Sequence, residues 1–205
     1  MSKYEGVAHD WTASEYADPA PYLAHRAELV VGLGPRLVAG DSVLDLACGD
    51  GGLADFLPDL HYRGVDATPQ MVDAAHRRGL GDVVLADLND YASPEPVTAT
   101  LCFRAIYYAR DRRAFFEQVR AYTTRKLVFD LNPRQYRLDD VRRDLRAAGF
   151  DRLALRPFLL PQKVTLPSPL RHAAIALERS GPPARLLLRF RFTYLCAAFA
   201  DGANR

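Results

Sequence analysis

The sequence lacks any long apolar run. None of its apolar stretches approaches the roughly 20 residues that a helix needs to cross a bilayer. The polar residues 1–5 are not followed by the apolar segment of a secretion signal. Cysteine is scarce too, since Cys48, Cys102 and Cys196 are odd in number and have no metal-ligand spacing. We therefore expect a cytoplasmic protein with reduced thiols, no metal site and no membrane partner.

Lysine is also rare, with Lys3, Lys126 and Lys163 the only three among 27 basic residues. The net charge is +2, but residues 150–205 hold nine basic residues against three acidic ones. A basic segment can attract nucleic acid or an acidic substrate. We favour solvent-exposed arginines here, and a small molecule over nucleic acid as the partner. The Arg-rich and Ala-rich usage is typical of a GC-rich bacterial genome.

The sequence is richest in information at residues 42–53. Apolar residues surround Asp45 in the segment 43–47, and three glycines follow within 48–52. This pattern predicts a buried parallel strand, a tight glycine turn and a helix beginning at Leu53. Glycines permit positive φ and remove Cβ atoms where a ligand must approach the backbone. The predicted helix would direct its free N–H groups over the same turn.

Further strands are predicted downstream, alternating with amphipathic helices, at 61–65, 83–86, 97–103, 126–131, 152–158 and 187–199. A short helix is expected at 170–180. This alternation predicts a doubly wound α/β sheet. A chain of 205 residues suits a single domain, 1–205. We expect a lid and helix region at 1–35, a sheet core at 40–205 and a substrate-reading insert near 160–186.

Three acidic residues follow three successive predicted strands at equal spacing. Asp45, Asp66 and Asp87 are separated by 21 positions each, which is the length of one strand–helix unit. Ligands of doubly wound sheets bind beyond the carboxyl ends of the strands. The segments V-L-D-L-A-C-G-D-G-G, Y-R-G-V-D and V-L-A-D-L-N-D together resemble the class I S-adenosylmethionine-dependent methyltransferases. The resemblance covers these strand ends and, more loosely, the whole chain.

The resemblance implies a Rossmann-like seven-stranded sheet, mostly parallel with an antiparallel final strand, and S-adenosylmethionine as cofactor. Asp45 would accept hydrogen bonds around the methionine amino group, Asp66 from the ribose hydroxyls and Asp87 from the adenine amino group. Met71 is equally explained as a core methionine, and Asp87 has a helix cap as its alternative. The full set of implied cofactor-binding residues is Asp45, Ala47, Gly49, Gly51, Asp66, Ala67, Met71, Asp87, Leu88 and Phe103.

The fourth strand end departs from the family, because tyrosines stand where many small-molecule members carry histidines. A histidine base therefore cannot be carried over, and catalysis would come mainly from positioning. The catalytic candidates are Arg104, Tyr107 and His9. Arg104 would position an acidic substrate or pair with an aspartate, and His9 has an exposed histidine as its alternative. The substrate-binding candidates are Trp11, Tyr16, Tyr22, Tyr108 and Asn132.

Several other functions compete with this one. Positions 49–54 also fit the G-x-G-x-x-A pattern of a dinucleotide site, but the acids at Asp45 and Asp87 have no use there. The segment 130–134 loosely resembles a motif for methylating exocyclic amines, with the wrong spacing. We predict methyl transfer to an O or N nucleophile, with C also open, by a monomer or homodimer. The alternatives are a protein that binds S-adenosylmethionine without transferring methyl, and a nucleic-acid methyltransferase.

Overall fold

A single seven-stranded sheet organises the computed structural model, which describes residues 11–190 and 193–201. The strands are β1 (Ser42–Leu46), β2 (His61–Asp66), β3 (Val83–Leu85), β4 (Val97–Cys102), β5 (Thr123–Leu131), β6 (Arg152–Pro157) and β7 (Tyr194–Phe199). Their order across the sheet is β3-β2-β1-β4-β5-β7-β6. Strand β7 is antiparallel to both of its neighbours, β5 and β6, and the other pairings in the sheet are parallel. The predicted Rossmann-like sheet with an antiparallel final strand is confirmed.

Seven helices are found in the described residues. They are α1 (Trp11–Glu15), α2 (Pro19–Gly32), α3 (Pro69–Arg77), α4 (Arg112–Tyr122), α5 (Leu138–Ala147), α6 (Ser168–Glu178) and α7 (Pro182–Leu187). Asp111 is the N-cap of α4, and its Oδ1 accepts a hydrogen bond of 3.0 Å from the Ala114 N–H. None of the described helices is both long and apolar enough to span a bilayer.

The two faces of the sheet are covered by different helices. Since successive side chains of a strand point to opposite faces, Val43 packs on the α2 side whereas Leu44 and Leu46 pack on the side of α4 and α5. Both faces are buried, as is usual for parallel sheets. The carboxyl ends of β1, β2 and β4 therefore meet at one open edge, between the two helical layers.

The helix predicted to begin at Leu53 is wrong. Only a single 3-10 turn forms, Ala54–Phe56. Pro58 has no N–H to donate and disfavours helical backbone before it. Two backbone hydrogen bonds then fix the extended chain that leads into β2. The Gly40 N–H donates to the Asp59 carbonyl at 2.8 Å, and the His61 N–H donates to the Asp41 carbonyl at 2.9 Å.

The C-terminal part departs from the prediction at one place. The final strand begins at Tyr194 instead of residue 187, because residues 182–187 form α7. This helix begins with two prolines, which are well tolerated in a first helical turn. The predicted short helix at 170–180 is present as α6. The thiols of Cys102 and Cys196 are buried and unpaired.

Candidate active site

A cavity of about 430 Å³ lies at the open edge of the sheet, beyond the ends of β1, β2 and β4. Its volume falls in the range of small-molecule sites. Most of the residues predicted from the sequence line it. They are Trp11, Tyr16, Asp45, Ala47, Gly49, Asp66, Ala67, Met71, Asp87, Leu88, Phe103, Arg104, Tyr107 and Tyr108.

One residue of the predicted glycine turn is not in the lining, and the base candidate falls outside the described part of the chain. His9 lies outside the described residues. Gly51 faces away from the cavity, since a Cβ built on it would lie 2.2 Å from Leu80 Cδ1. Its φ of +73° is one that a glycine adopts without strain. Gly51 therefore packs against Leu80 behind the turn and is not among the residues that line the cavity.

Two predicted substrate residues are also placed elsewhere. Tyr22 is buried beneath the cavity, where its ring lies 4.7 Å from that of Tyr16 and 5.1 Å from that of Phe158. Asn132 is exposed after β5, and its Oδ1 accepts a 3.0 Å hydrogen bond from the Arg134 N–H. Asn132 stabilises the turn that follows the strand and does not form the floor of the pocket.

Asp45, at the end of β1, is one of the two most deeply buried acids of the cavity; like Asp50, it is 4% exposed. Its Oδ2 accepts a 2.8 Å hydrogen bond from the Tyr62 hydroxyl of β2. Burial raises the pKa of this carboxyl to about 7, although the Tyr62 hydrogen bond and the Arg26 charge act in the opposite direction. Because this pKa lies near neutral pH, the binding of a cation beside Asp45 can be coupled to the loss of its proton.

Asp66, at the end of β2, holds the glycine turn in place. Its Oδ2 accepts from the Gly49 N–H and its Oδ1 from the Thr68 N–H, both at 2.9 Å. Burial raises the pKa of Asp66, while these two backbone hydrogen bonds oppose the shift. Each carboxylate oxygen can accept a further hydrogen bond. Asp66 can therefore bind a pair of vicinal hydroxyls while it supports the turn.

Asp87 lies beyond β3 at the rim of the cavity, where it is half-exposed. Its Oδ1 accepts from the Asn89 N–H at 2.8 Å and from the Asn89 side-chain amide at 2.7 Å. The first of these hydrogen bonds contributes most to lowering the pKa of Asp87. Asn89 also donates to the Tyr108 carbonyl at 3.2 Å, which joins the loops after β3 and β4. Asp87 is a turn cap whose Oδ2 forms an ion pair of 3.6 Å with the Arg110 guanidinium, which also lines the cavity.

Two strained residues shape the inner wall. Ala47, after β1, has φ +60°, and Arg104, after β4, has φ +56°. A left-handed backbone costs a residue with a Cβ about 1–2 kcal/mol, so the surrounding contacts must hold it. At Arg104 the contact is a 2.7 Å hydrogen bond from its N–H to Oδ1 of Asp130, at the end of β5.

Helix α1 closes the cavity from above through side chains at both of its ends. The Thr12 hydroxyl and N–H donate to Asp50 at 2.5 and 3.0 Å. Glu15 accepts from the Arg104 guanidinium at 2.8 Å, which lowers the pKa of Glu15 against the opposing effect of burial. Trp11 packs over Gly49, so a Cβ on this glycine would lie 3.3 Å from the indole. The alternative of an aspartate partner for Arg104 therefore applies to its backbone N–H, which binds Asp130, whereas its guanidinium binds Glu15 of α1.

Sequence reasoning missed Arg26, Asp50 and Asn89, which all line the cavity. Arg26 is 3% exposed on α2, a charged residue within an otherwise apolar helix face. A charged residue among apolar ones on a helix face can be recognised in the sequence, so Arg26 could have been identified as a candidate. Asp50 follows Gly49 directly and has no comparable signal, because its partner Thr12 is 38 residues away.

The chain is similar to proteins of one family. Residues 43–126 match the model of a family described as a methyltransferase domain. No curated protein sequence matches the chain. A solved S-adenosylmethionine-dependent methyltransferase from Clostridium acetobutylicum is 15% identical, with 98% of this chain and 100% of that one covered and a TM-score of 0.64.

Two further solved structures share the fold. Magnesium protoporphyrin IX methyltransferase from Synechocystis, with S-adenosylmethionine bound, is 16% identical over 95% of this chain and 81% of that one, with a TM-score of 0.55. The [4+2]-cyclase SpnF is 17% identical over 87% of this chain and 82% of that one, with a TM-score of 0.58. The chain is thus similar to methyltransferase domains over residues 43–126, and its seven-stranded sheet is the fold that these S-adenosylmethionine-dependent methyltransferases have.

Proposed function

We propose that the protein transfers a methyl group from S-adenosylmethionine to an oxygen, nitrogen or carbon nucleophile of a small molecule. The observation that carries the proposal is the placement of Asp45, Asp66 and Asp87. These acids end three neighbouring strands, β1, β2 and β3, and all three line one cavity. They match the three donor groups of the cofactor in order: ammonium, ribose hydroxyls and adenine amino group.

The assignment orients the cofactor along the edge of the sheet. Asp45 would bind the methionine ammonium, with the backbone of Ala47 and Gly49 beside it. Asp66 would bind both ribose hydroxyls, and Asp87 the adenine amino group, with Leu88 next to it. Ala67 and Met71 line the same wall and would pack on the adenine. The sulfonium would then face Phe103 and the residues after β4.

The residues that line the cavity support a mechanism in which catalysis comes mainly from alignment of the methyl donor with its acceptor. Among the described residues, the cavity lining contains no histidine. Holding donor and acceptor in line can itself supply much of the rate enhancement of a displacement. Arg104, Tyr107 and Tyr108 are the polar side chains beyond β4 that would orient the acceptor, with Trp11 and Tyr16 above them. A lid this close restricts the acceptor to a small molecule and excludes water. We also propose a cytoplasmic protein acting as monomer or homodimer.

Calorimetry on the purified protein tests the cofactor first. Micromolar binding of S-adenosylmethionine and S-adenosylhomocysteine, with none of NADH, is expected. Incubation with methyl-deuterated S-adenosylmethionine and a metabolite extract then tests transfer, with a product mass shift and equimolar S-adenosylhomocysteine as the expected result. Binding of NADH alone would refute the proposal, because the glycine turn would then serve a dinucleotide.

A second candidate is an S-adenosylmethionine-binding protein that does not transfer methyl. Two observations favour it: the lining without histidine, and the shared fold with a [4+2]-cyclase. In that case the cofactor would supply its positive charge to a rearrangement. Stoichiometric formation of S-adenosylhomocysteine with a methylated product would exclude this candidate, whereas tight binding with no turnover over the whole extract would favour it.

A further inference from the structure

Helix α6 packs on the rest of the protein through one of its faces. On this face Ala174 and Ile175 pack against the core on the α2 side of the sheet. Beside them Glu178 is 2% exposed, with its Oε2 at 2.6 Å from His25 Nε2 and its Oε1 accepting a 2.7 Å hydrogen bond from the Leu159 N–H. The inner face of α6 is therefore fully used by contacts within the chain.

The opposite face of α6 is exposed and carries no charge. Leu170, Ala173 and Leu177 recur at intervals of three and four residues, so they form one stripe along the helix. Leu170 is 58% exposed, Leu177 is 40% exposed and Ala173 is exposed between them. A surface helix normally directs polar and charged residues away from the core. Helix α6 instead presents a second apolar stripe to the outside.

Helix α7 and the turn after it extend this apolar surface. The helix packs against both α6 and β6, with Ala184 as its buried residue. Leu186 is 51% exposed, and Phe190, four residues later, is 59% exposed. Five of the ten large apolar or aromatic side chains that are exposed in the described part of the chain lie within residues 164–190. Such a concentration is typical of an interaction surface.

The same segment is basic. Residues 161–190 contain five lysine and arginine residues, and their single acid is the buried Glu178. Two of the arginines form ion pairs with acids at the start of α2 and within it. Arg185 and Arg189 are exposed, and neither has an ion-pair partner among the described residues. The surface of α6 and α7 thus combines apolar side chains with positive charges that the chain does not neutralise.

A second copy of the chain and a nucleic acid fit this surface less well than a lipid does. In a symmetric dimer the same patch meets itself, so Arg185 and Arg189 of the two copies would meet with no exposed acid of this segment between them. A nucleic acid would neutralise the arginines, but its polar, hydrated interfaces give little burial to exposed leucines. An anionic lipid surface offers both negative headgroups and an apolar layer beneath them.

We propose that α6 and α7 form a docking surface for an anionic lipid bilayer, a property that does not rest on methyl transfer. Leu170, Leu177 and Leu186 would enter the boundary between headgroups and acyl chains, as the apolar faces of interfacial helices do. The arginines would lie at the lipid phosphates, where each basic residue contributes to binding. The expectation of no membrane partner rests on the absence of a spanning segment, and adsorption to a bilayer surface needs no such segment.

Vesicle flotation of the full-length protein tests this proposal. Vesicles of phosphatidylcholine are compared with vesicles of equal parts phosphatidylcholine and phosphatidylglycerol, at about 0.1 M and about 1 M salt, which shortens the Debye length from about 10 Å to about 3 Å. The variants are Leu170→Gln, Leu186→Gln and Arg185→Gln. The matched controls are Leu85→Gln, which is 56% exposed on β3, and Arg146→Gln, which lies in the last turn of α5 as Arg185 does in that of α7.

The wild type is expected to float with the anionic vesicles at low salt and to be released at high salt. Each leucine substitution should lower the partition coefficient roughly 5- to 10-fold, because a half-exposed leucine gains about half of its full burial energy in the bilayer. Arg185→Gln should lower it about fivefold at low salt. Both controls should float as the wild type does. Urea midpoints equal to that of the wild type would show that the variants are folded, as expected at exposed positions.

Three results would overturn the proposal: no flotation of the wild type with anionic vesicles, equal flotation with both kinds of vesicle, or losses in the controls as large as those in the variants. If flotation fails while size exclusion shows a dimer that Leu170→Gln dissociates, a second copy covers the surface instead. Calorimetry with S-adenosylhomocysteine tests the proposed function separately, so failure of one proposal leaves the other standing.

Discussion

Replacing Asp45 by asparagine should stabilise the free protein at alkaline pH while it abolishes the coupling of cofactor binding to pH. Burial raises the pKa of this carboxyl from an ordinary 3.8 to about 7. In the unfolded chain the same carboxyl loses its proton near pH 4. Between these values the native state binds more protons than the unfolded state, so stability from this group is greatest below pH 4 and is lost as the pH rises to 7.

The size of the effect follows from the shift. Three pKa units correspond to about 4 kcal/mol at full ionisation, and the part lost between pH 5 and pH 8 is about 2.5 kcal/mol. Asparagine has no charge to bury and keeps an oxygen for the Tyr62 hydroxyl. Wild type should therefore lose about 2.5 kcal/mol more than Asp45→Asn over this interval, about 5–10 °C in melting temperature for a chain of this length.

Urea denaturation of both proteins at pH 5, 6, 7 and 8 measures this difference. Other titrating groups are shared by the two proteins, so they cancel in the comparison. Binding should follow the reverse trend, because the ionised carboxylate is the form that attracts an ammonium. S-Adenosylhomocysteine affinity of the wild type should fall about tenfold per pH unit below 7. Parallel stability curves, with the same pH slope in both proteins, would refute the reasoning.

Three further predictions concern the turn, the lid and the ribose site. Asp66→Asn should weaken S-adenosylhomocysteine binding by about 100-fold, because charged hydrogen bonds of about 3 kcal/mol are lost. The control Asp90→Asn, which changes an exposed aspartate in the loop after β3, should bind S-adenosylhomocysteine as the wild type does in calorimetry. Glu15→Gln should loosen α1, seen as faster amide exchange over residues 11–18; unchanged exchange would contradict its role as a latch. Gly51→Ala should lower the free energy of unfolding by at least about 1–3 kcal/mol, because the added methyl group would overpack against Leu80. Gly40→Ala is the control, since Gly40 also has a positive φ but has open space around it, and it should destabilise the protein clearly less. Equal urea midpoints for the two variants would contradict this account.

The parts of the structure that could be predicted from the sequence are those with local signals. Strand β1 and its glycine turn combine apolar periodicity with residues permitting positive φ, and the spacing of Asp45, Asp66 and Asp87 reflects the length of one strand–helix unit. These features repeat in every fold of this kind, so pattern and resemblance agree. The confirmed antiparallel β7 was predicted from the resemblance to the family.

What could not be predicted depends on contacts between distant segments. The turn after β1 has helical periodicity, but Pro58 and the hydrogen bonds of residues 40 and 61 prevent the helix. The pairing of Asp50 with Thr12 joins residues 38 positions apart, and that of Arg104 with Glu15 joins residues 89 positions apart. No local pattern encodes such pairs. Arg26 could have been noticed from its apolar helix face, but its orientation depends on aromatic rings from other segments.

The single 3-10 turn after β1 has an electrostatic consequence. A full helix at that position would present the positive end of its macrodipole, equivalent to about half a unit charge, to the end of the cavity beside β1. With only Ala54–Phe56 there, no aligned stack of peptide dipoles supplies that field. The charges near the end of β1 are therefore those of discrete side chains, among them Arg26, Asp45 and Asp50, so a single substitution can change them. The electrostatic potential at this end of the cavity thus depends on side-chain chemistry instead of on a helix dipole.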